Sequence, residues 1–186
     1  YCRQVAQALR SVIYNGRPLA VELDEREGRG GEKVWGWIKK GIPVRLEIGP
    51  RDMASDSVAL ARRDRPHKEI TLIKRSELPG AIGGILDEIQ GGLLKKARDL
   101  REASTRRIDS KNEFYEFFTP KNSSQPEIHG GFAMAHWSGE AAVEETLKNE
   151  LGVTIRCIPF DSPEEPGTCP FSGKPSARRV LFAKAY

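Results

Sequence analysis

Four charges crowd the end of the stretch GIPVRLEIGPRD (residues 41–52): Arg45, Glu47, Arg51 and Asp52. Read with period two, Ile42, Val44, Leu46 and Ile48 share one face of a strand, and Pro43, Arg45, Glu47 and Gly49 share the other. Gly49-Pro50 stops the strand, which sets Arg51 and Asp52 at its C-terminal edge. A guanidinium is a planar fork of donors that matches carboxylates, phosphates and base edges, and a carboxylate beside it accepts. Such a face serves to read a polar ligand; it serves equally as a solvated surface of cross-strand pairs, each contributing about 0.2–1 kcal/mol.

Other reactive side chains are sparse. The three cysteines, Cys2, Cys157 and Cys169, lie far apart and cannot pair completely, so they read as reduced thiols. Three histidines form no ordered constellation with them, which favours inert thiols over a nucleophile. GGEK and SGKP are loop glycines, and no GxxxxGK[ST] phosphate loop is present. No catalytic residue is assigned.

The elements that position these residues follow from periodicity. Val5, Leu9, Val12 and Ile13 recur at helical spacing over residues 2–14, and Asn15-Gly16 stops that helix. Residues 18–24 read as a short strand, 24–33 as a loop rich in Gly and charge, and 34–40 as one or two helical turns. Strands follow at 57–63 and 68–74. From Glu77 to about Arg107 the apolar residues Ile82, Ile85, Leu86, Ile89, Leu93, Leu94, Ala97 and Leu100 predict one long amphipathic helix. Its glycines, Gly83, Gly84, Gly91 and Gly92, imply either close packing against a sheet or a break near Gly91. FYEFF (114–118) forms an aromatic anchor. Strands at 130–137, 153–160 and 177–186 and a helix at 139–151 complete the chain, with a boundary between domains near residues 107–110, hence domains 1–108 and 109–186. Interleaved helices and strands argue for an α/β sandwich with a mostly parallel or mixed sheet.

The chain has 186 residues, 38% of them hydrophobic and 30% charged, with mean hydropathy −0.51. That composition excludes disordered and membrane-spanning classes, and no signal peptide opens the sequence, so the cytosol is the default compartment. A net charge of +4 permits a polyanionic partner without demanding one. The first residue is not methionine and falls inside a helical pattern, so the C-terminal part of a longer protein is expected.

Beyond these derivations, WIKKGIPVRLEIGPRD with the downstream ARRD resembles the anticodon-binding domain of the prolyl-tRNA synthetases, class II enzymes, of the archaeal and eukaryotic type that also occurs in some bacteria. FAMAHWSGE, IRCIPF, GKPS and the terminal LFAKAY resemble the extra C-terminal domain of that type. The resemblance implies a five-stranded mixed sheet flanked by helices, its first strand possibly missing, followed by a small α/β domain. It implies a parent enzyme that attaches proline to its tRNA with ATP and magnesium in the cytoplasm, as a homodimer, the catalytic domain preceding Tyr1. Proline anticodons carry two guanines, and an arginine fork suits guanine O6 and N7. The motif match carries anticodon reading to Arg45, Arg51 and Asp52. The family's glutamate seven residues before the arginine is Ile38 here, so guanine reading is weakened or Glu32 or Glu47 substitutes; Glu47 reads more simply as surface. Trp37 matches a family tryptophan that packs, and Trp35 is open.

Candidate RNA backbone contacts are Arg62, Arg63, Lys95 and Lys96, with Arg98, Arg101, Arg106 and Arg107 behind them; a solvated helix face explains most of these equally well. The resemblance also implies a four-cysteine zinc site whose positions here are Ser138, Val143, Cys169 and Ser172, so no zinc is expected. Cys157 with Cys169 and His129 or His136 is the remaining ligand combination, which no spacing requires. The resemblance directs the C-terminal carboxylate of Tyr186 toward the parent active site. The other reading of the whole chain is a homologous domain retained for protein interaction or regulation.

Overall fold

The computed structural model describes residues 1–122, 124 and 131–184, and the chain divides into two compact units, 1–97 and 98–186. Strand order and contacts are those of the described residues.

In the first unit, α1 (Cys2–Arg10) buries Val5, Ala6 and Leu9, the i, i+4 stripe foreseen from the sequence. It ends earlier than expected because Ile13–Tyr14 (β1) turns back on Arg17–Pro18 (β2). Asn15 and Gly16 supply the two positive φ angles of 50° and 76° that such a two-residue hairpin demands. The expected strand at 18–24 reduces to this pair, although Leu19 and Val21 still pack on the core.

Next come α2 (Gly30–Lys39), β3 (Val44–Glu47), α3 (Pro50–Ala54), β4 (Ser57–Arg62), β5 (Ile70–Lys74) and α4 (Leu78–Ala103). The sheet has three strands in the order β3-β4-β5, all antiparallel. This corrects both the mostly parallel reading and the five-stranded mixed sheet that the resemblance implied. Residues 48–56 and 63–69 are the connections, and neither reaches the dozen or more residues a parallel crossover requires. The period-two assignment of β3 does hold: Val44, Leu46 and Ile48 pack on the core of Val5, Leu9, Val58, Leu60, Leu78 and Ile82.

Helix α4 runs unbroken past all four glycines. An added Cβ would meet nothing at Gly84 or Gly91 and only an ordinary contact at Gly83 and Gly92, so neither close packing nor a break accounts for them. The core stripe of α4 also ends at Ile89; Leu93, Leu94 and Leu100 are exposed.

The second unit carries β6 (Thr105–Arg107), α5 (Lys111–Phe118), β7 (Phe132–His136), α6 (Ala141–Leu151), β8 (Val153–Cys157), β9 (Gly167–Thr168), β10 (Pro175–Ser176) and β11 (Arg179–Lys184). Its mixed sheet has the order β6-β7-β11-β8, with β6 parallel to β7 and the other pairs antiparallel. β6 joins this sheet, and the division between the units falls after residue 97, inside α4, whereas the sequence reading set the boundary near 107–110. Ser110 caps α5 by accepting from the Glu113 amide. The core gathers Ile108, Phe114, Phe118, Ala133, Ala135, Leu147, Val153, Val180 and Phe182. Phe114 contacts Phe118, Phe171 and Phe182 at centroid distances of 4.8–5.2 Å, so the FYEFF anchor is the centre of this core.

Candidate RNA-reading surface and a metal-like knot

Arg45 lies on the sheet face opposite the core, cross-strand from Ala61, with Glu47 opposite Ala59. Its side chain is only 11% exposed while that of Glu47 is 50% exposed. Arg45 Nη2 donates to Glu47 Oε1 at 3.4 Å, and Nε is buried with no hydrogen-bond partner among the described residues. A buried donor left unpaired costs about 1–3 kcal/mol. The fork is thus mostly enclosed, with part of its donor capacity unused.

Arg51 is exposed on α3. Asp52 supports the local backbone, since its Oδ2 accepts from the Gly49 amide at 2.8 Å and closes the turn that starts α3 behind Pro50. One carboxylate oxygen is therefore engaged locally, which the sequence reading did not foresee. Ile38 sits half-buried on α2 and Glu32 is exposed in its first turn; of the two substitute carboxylates, Glu47 is the one beside Arg45.

Helix α2 buries no residue fully. A polar clamp fastens it instead. Trp37 Nε1 donates to Asp24 Oδ2 at 2.7 Å, Arg26 grips both oxygens of Asp24 at 2.6–2.8 Å, and Lys40 Nζ stands 4.2 Å from the Trp37 ring centroid. The Arg26 guanidinium, and then the Trp37 indole, hold the Asp24 carboxyl well below the usual carboxylate range. Trp37 thus packs, as its match implied, but around a carboxylate that no sequence signal marked. Trp35 faces outward, 56% exposed, with its ring 6.1 Å from that of His67.

The candidate backbone contacts separate. Arg62 is only 15% exposed and is committed to Asp64 through two bonds of 2.8–2.9 Å and to Glu88 at 2.7 Å, so it is a structural cation and not a free phosphate ligand. Arg63 donates to Gly41 O at 3.1 Å. Lys95, Lys96 and Arg98 are exposed on α4. Arg101 lies 3.8 Å from Glu102, Arg106 stacks over Phe117, and Arg107 pairs with Glu165 at 2.5 Å.

In the second unit, three of the four zinc-like positions come together as a hydrogen-bonded knot. Ser172 Oγ lies 3.0 Å from Ser138 Oγ; Ser138 donates to Glu140 Oε2 at 2.9 Å; Lys174 closes the chain on Glu140 Oε1 at 2.6 Å. Lys174 and the serine hydroxyls hold the Glu140 carboxyl below its ordinary value. Cys169 is fully buried. Burial pushes its thiol up, but hydrogen bonds from the Ser172 side chain and from the backbone of Ser172, Phe171 and Ser138 outweigh that and bring it below the ordinary thiol value. Val143 packs on the apolar core. One thiol, two hydroxyls and a hydrocarbon do not make a tetrahedral zinc donor set. Cys157 is exposed, and His136 is buried with Nδ1 3.2 Å from Ser176 Oγ; His129 and Tyr186 lie outside the described residues. Among the described residues, no group of three His, Cys, Asp or Glu is arranged to hold a metal, and no helix is long and apolar enough to cross a membrane.

A cluster that sequence reading missed pins the second sheet. Arg179, whose side chain is 8% exposed, donates to Asp109 at 2.5 Å, Glu165 at 3.1 Å, Ile108 O at 3.2 Å and Met134 O at 3.3 Å.

A small α/β unit with an arginine fork on the sheet face opposite its core, followed by a second α/β unit, is the arrangement of an anticodon-binding domain with a C-terminal extension. The anticodon binding domain family matches residues 1–84, and the family described as prolyl-tRNA synthetase, C-terminal, matches residues 125–186. The chain is 50% identical over 190 residues to a proline–tRNA ligase 2 of Anaeromyxobacter dehalogenans and 41% identical over 187 residues to a proline–tRNA ligase of Protochlamydia amoebophila. In both cases 100% of this chain is covered and 37% of the relative, so the chain spans well under half the length of these curated relatives. The crystal structure of prolyl-tRNA synthetase from Cryptosporidium parvum with L-proline and AMP superposes with a TM-score of 0.77 at 28% identity, covering 100% of this chain and 36% of that one. The chain belongs to the prolyl-tRNA synthetase family, of which it is the C-terminal region with the anticodon-binding domain.

Proposed function

We propose that this chain reads the two guanines of the proline anticodon for a parent enzyme that joins proline to its tRNA with ATP and magnesium. Arg45 carries the reading. A guanidinium not fully used by its neighbours, beside the half-exposed Glu47, suits a base edge that offers acceptors to the fork and donors to the carboxylate. Arg51 adds an exposed cation at the strand edge, and Asp52 orients that turn while keeping one oxygen for a base amine. Exposed Lys96, with Lys95 and Arg63, is assigned to the RNA backbone. The motifs FAMAHWSGE, IRCIPF, GKPS and LFAKAY support the archaeal and eukaryotic type. In this reading the second unit is a descendant of a zinc domain that holds no zinc, its knot being closed by Glu140 and Lys174. The partners are the anticodon loop and the enzyme's own catalytic domain, in a cytoplasmic homodimer.

The test is binding of the chain, at fixed moderate salt, to proline tRNA and to the same tRNA with both guanines replaced, alongside Arg45→Ala. Salt is fixed because phosphate contacts depend on it steeply. Guanine replacement and Arg45→Ala should each cost about 1–3 kcal/mol, the discrimination expected of one good bidentate contact. Equal binding by all combinations sinks guanine reading and leaves a protein-interaction module.

A further inference from the structure

Trp35 is an exposed aromatic that the reading above does not use. It projects from α2, is 56% exposed, and meets the imidazole of His67, on the loop between β4 and β5, at 6.1 Å with 37° between the ring planes. A tryptophan that served only to pack would bury more of its surface; Trp37, two residues on, does so against Asp24. The cations around the pair are on both elements: Lys39 shares the Trp35 face of α2 at i+4, and exposed Arg63, Arg65 and Lys68 flank His67. The acidic residues here are Glu32, also exposed, Glu69, and Asp64, which Arg62 already engages. The loop leaves the sheet just beyond Ala61, the cross-strand neighbour of Arg45, so the rings stand near the end of the sheet where Arg45 lies.

We propose that Trp35 and His67 form a stacking platform for an unpaired RNA base, the loop nucleotide adjacent to the guanine that Arg45 reads. Every base has a π face, so this contact is indifferent to sequence and anchors the strand rather than selecting it. Positive charge on both flanking elements complements the phosphates that enter and leave a stacked nucleotide. The assignment rests on the anticodon reading for the identity of the RNA, and on exposure and ring geometry for the site.

The experiment uses the whole chain and three anticodon stem-loop RNAs: one with both guanines, one with the guanines replaced, and one with an abasic site at the adjacent loop position. Trp35→Ala should weaken binding to the first RNA by about fivefold or more, the low end for loss of one stacked base. The abasic RNA should lose a similar factor, with no further loss when variant and abasic site are combined. Trp35→Phe should retain most of the affinity, and the guanine-replaced RNA should show the same Trp35→Ala factor from its weaker starting point. Circular dichroism checks that the exposed substitution leaves the fold intact. If Trp35→Ala and His67→Ala bind the first RNA like the unaltered chain while Arg45→Ala and guanine replacement still weaken it, the platform is refuted and guanine reading stands. If Trp35→Ala weakens binding while Arg45→Ala and guanine replacement do nothing, the platform stands and guanine reading falls.

Discussion

Replacing Arg179 by methionine sets two effects against each other. The guanidinium is almost wholly buried, and its own desolvation opposes the charge, yet its hydrogen bonds to Asp109 and Glu165 more than compensate and raise its pKa. Arg179→Met keeps a long apolar stem in the same space and removes the desolvation, a change that in some buried ion pairs is neutral or stabilising. Here the partners left behind decide the sign. Asp109, whose side chain is 71% exposed, returns to water, and Glu165 keeps Arg107. Met134 O retains the Ile108 amide at 3.0 Å. Ile108 O loses the guanidinium beside a fully buried side chain, and a buried acceptor without its partner costs about 1–3 kcal/mol. The expected net effect is destabilisation of the second unit by about 1–3 kcal/mol. Native-state hydrogen exchange of the β7 and β11 amides measures this for that unit alone. A variant as stable as the parent, or more so, would mean that the desolvation of Arg179 outweighs its four bonds.

Other outcomes follow from single contacts. An added Cβ at Gly167 would lie 2.3 Å from His136 Nε2, so Gly167→Ala should destabilise the second unit by about 1–3 kcal/mol, and His136→Ala in the same chain should recover part of it, read by urea unfolding. The Asp24 carboxyl is depressed by Arg26 and Trp37, so the stability it lends is complete above the ordinary carboxylate pKa and disappears as pH falls through its lower folded value. The Trp37 indole proton resonance should therefore stay put on acidification to the pH where exposed carboxylates have already titrated; a shift in step with them refutes the clamp. Burial and the Glu150 carboxylate push Tyr115 up to about 12, so its phenolate should appear in ultraviolet titration about two pH units later than a free tyrosine, and Glu150→Gln should bring it earlier.

The parts of this molecule visible in its sequence are those set by local period. The core face of β3 and the α6 helix follow from alternation or 3.6-residue spacing alone. Sheet direction was also within reach, because residues 48–56 and 63–69 are too short for parallel crossovers, but interleaving of helices and strands suggested otherwise. The rest depends on distant partners. Arg62 has one partner, Asp64, two residues on, but its second, Glu88, lies 26 residues away on another element, and Arg179 looked like an ordinary strand residue because Asp109 is 70 residues away. The β9–β10 pair hides in a loop whose composition signals only turns. The family motif brought Arg45 to attention, yet its near-complete burial and its unpaired Nε belong to three dimensions.

That unpaired Nε sets stability against use. In the free chain Arg45 is a defect, and an apolar replacement such as Arg45→Met should raise the unfolding free energy of the first unit by about 1 kcal/mol, the low end for one unsatisfied buried donor. The same change removes the fork on which the proposed reading depends. Variants of this chain sorted for thermal endurance alone should therefore discard Arg45 early and emerge sturdier and, on the proposed reading, unable to tell one anticodon from another.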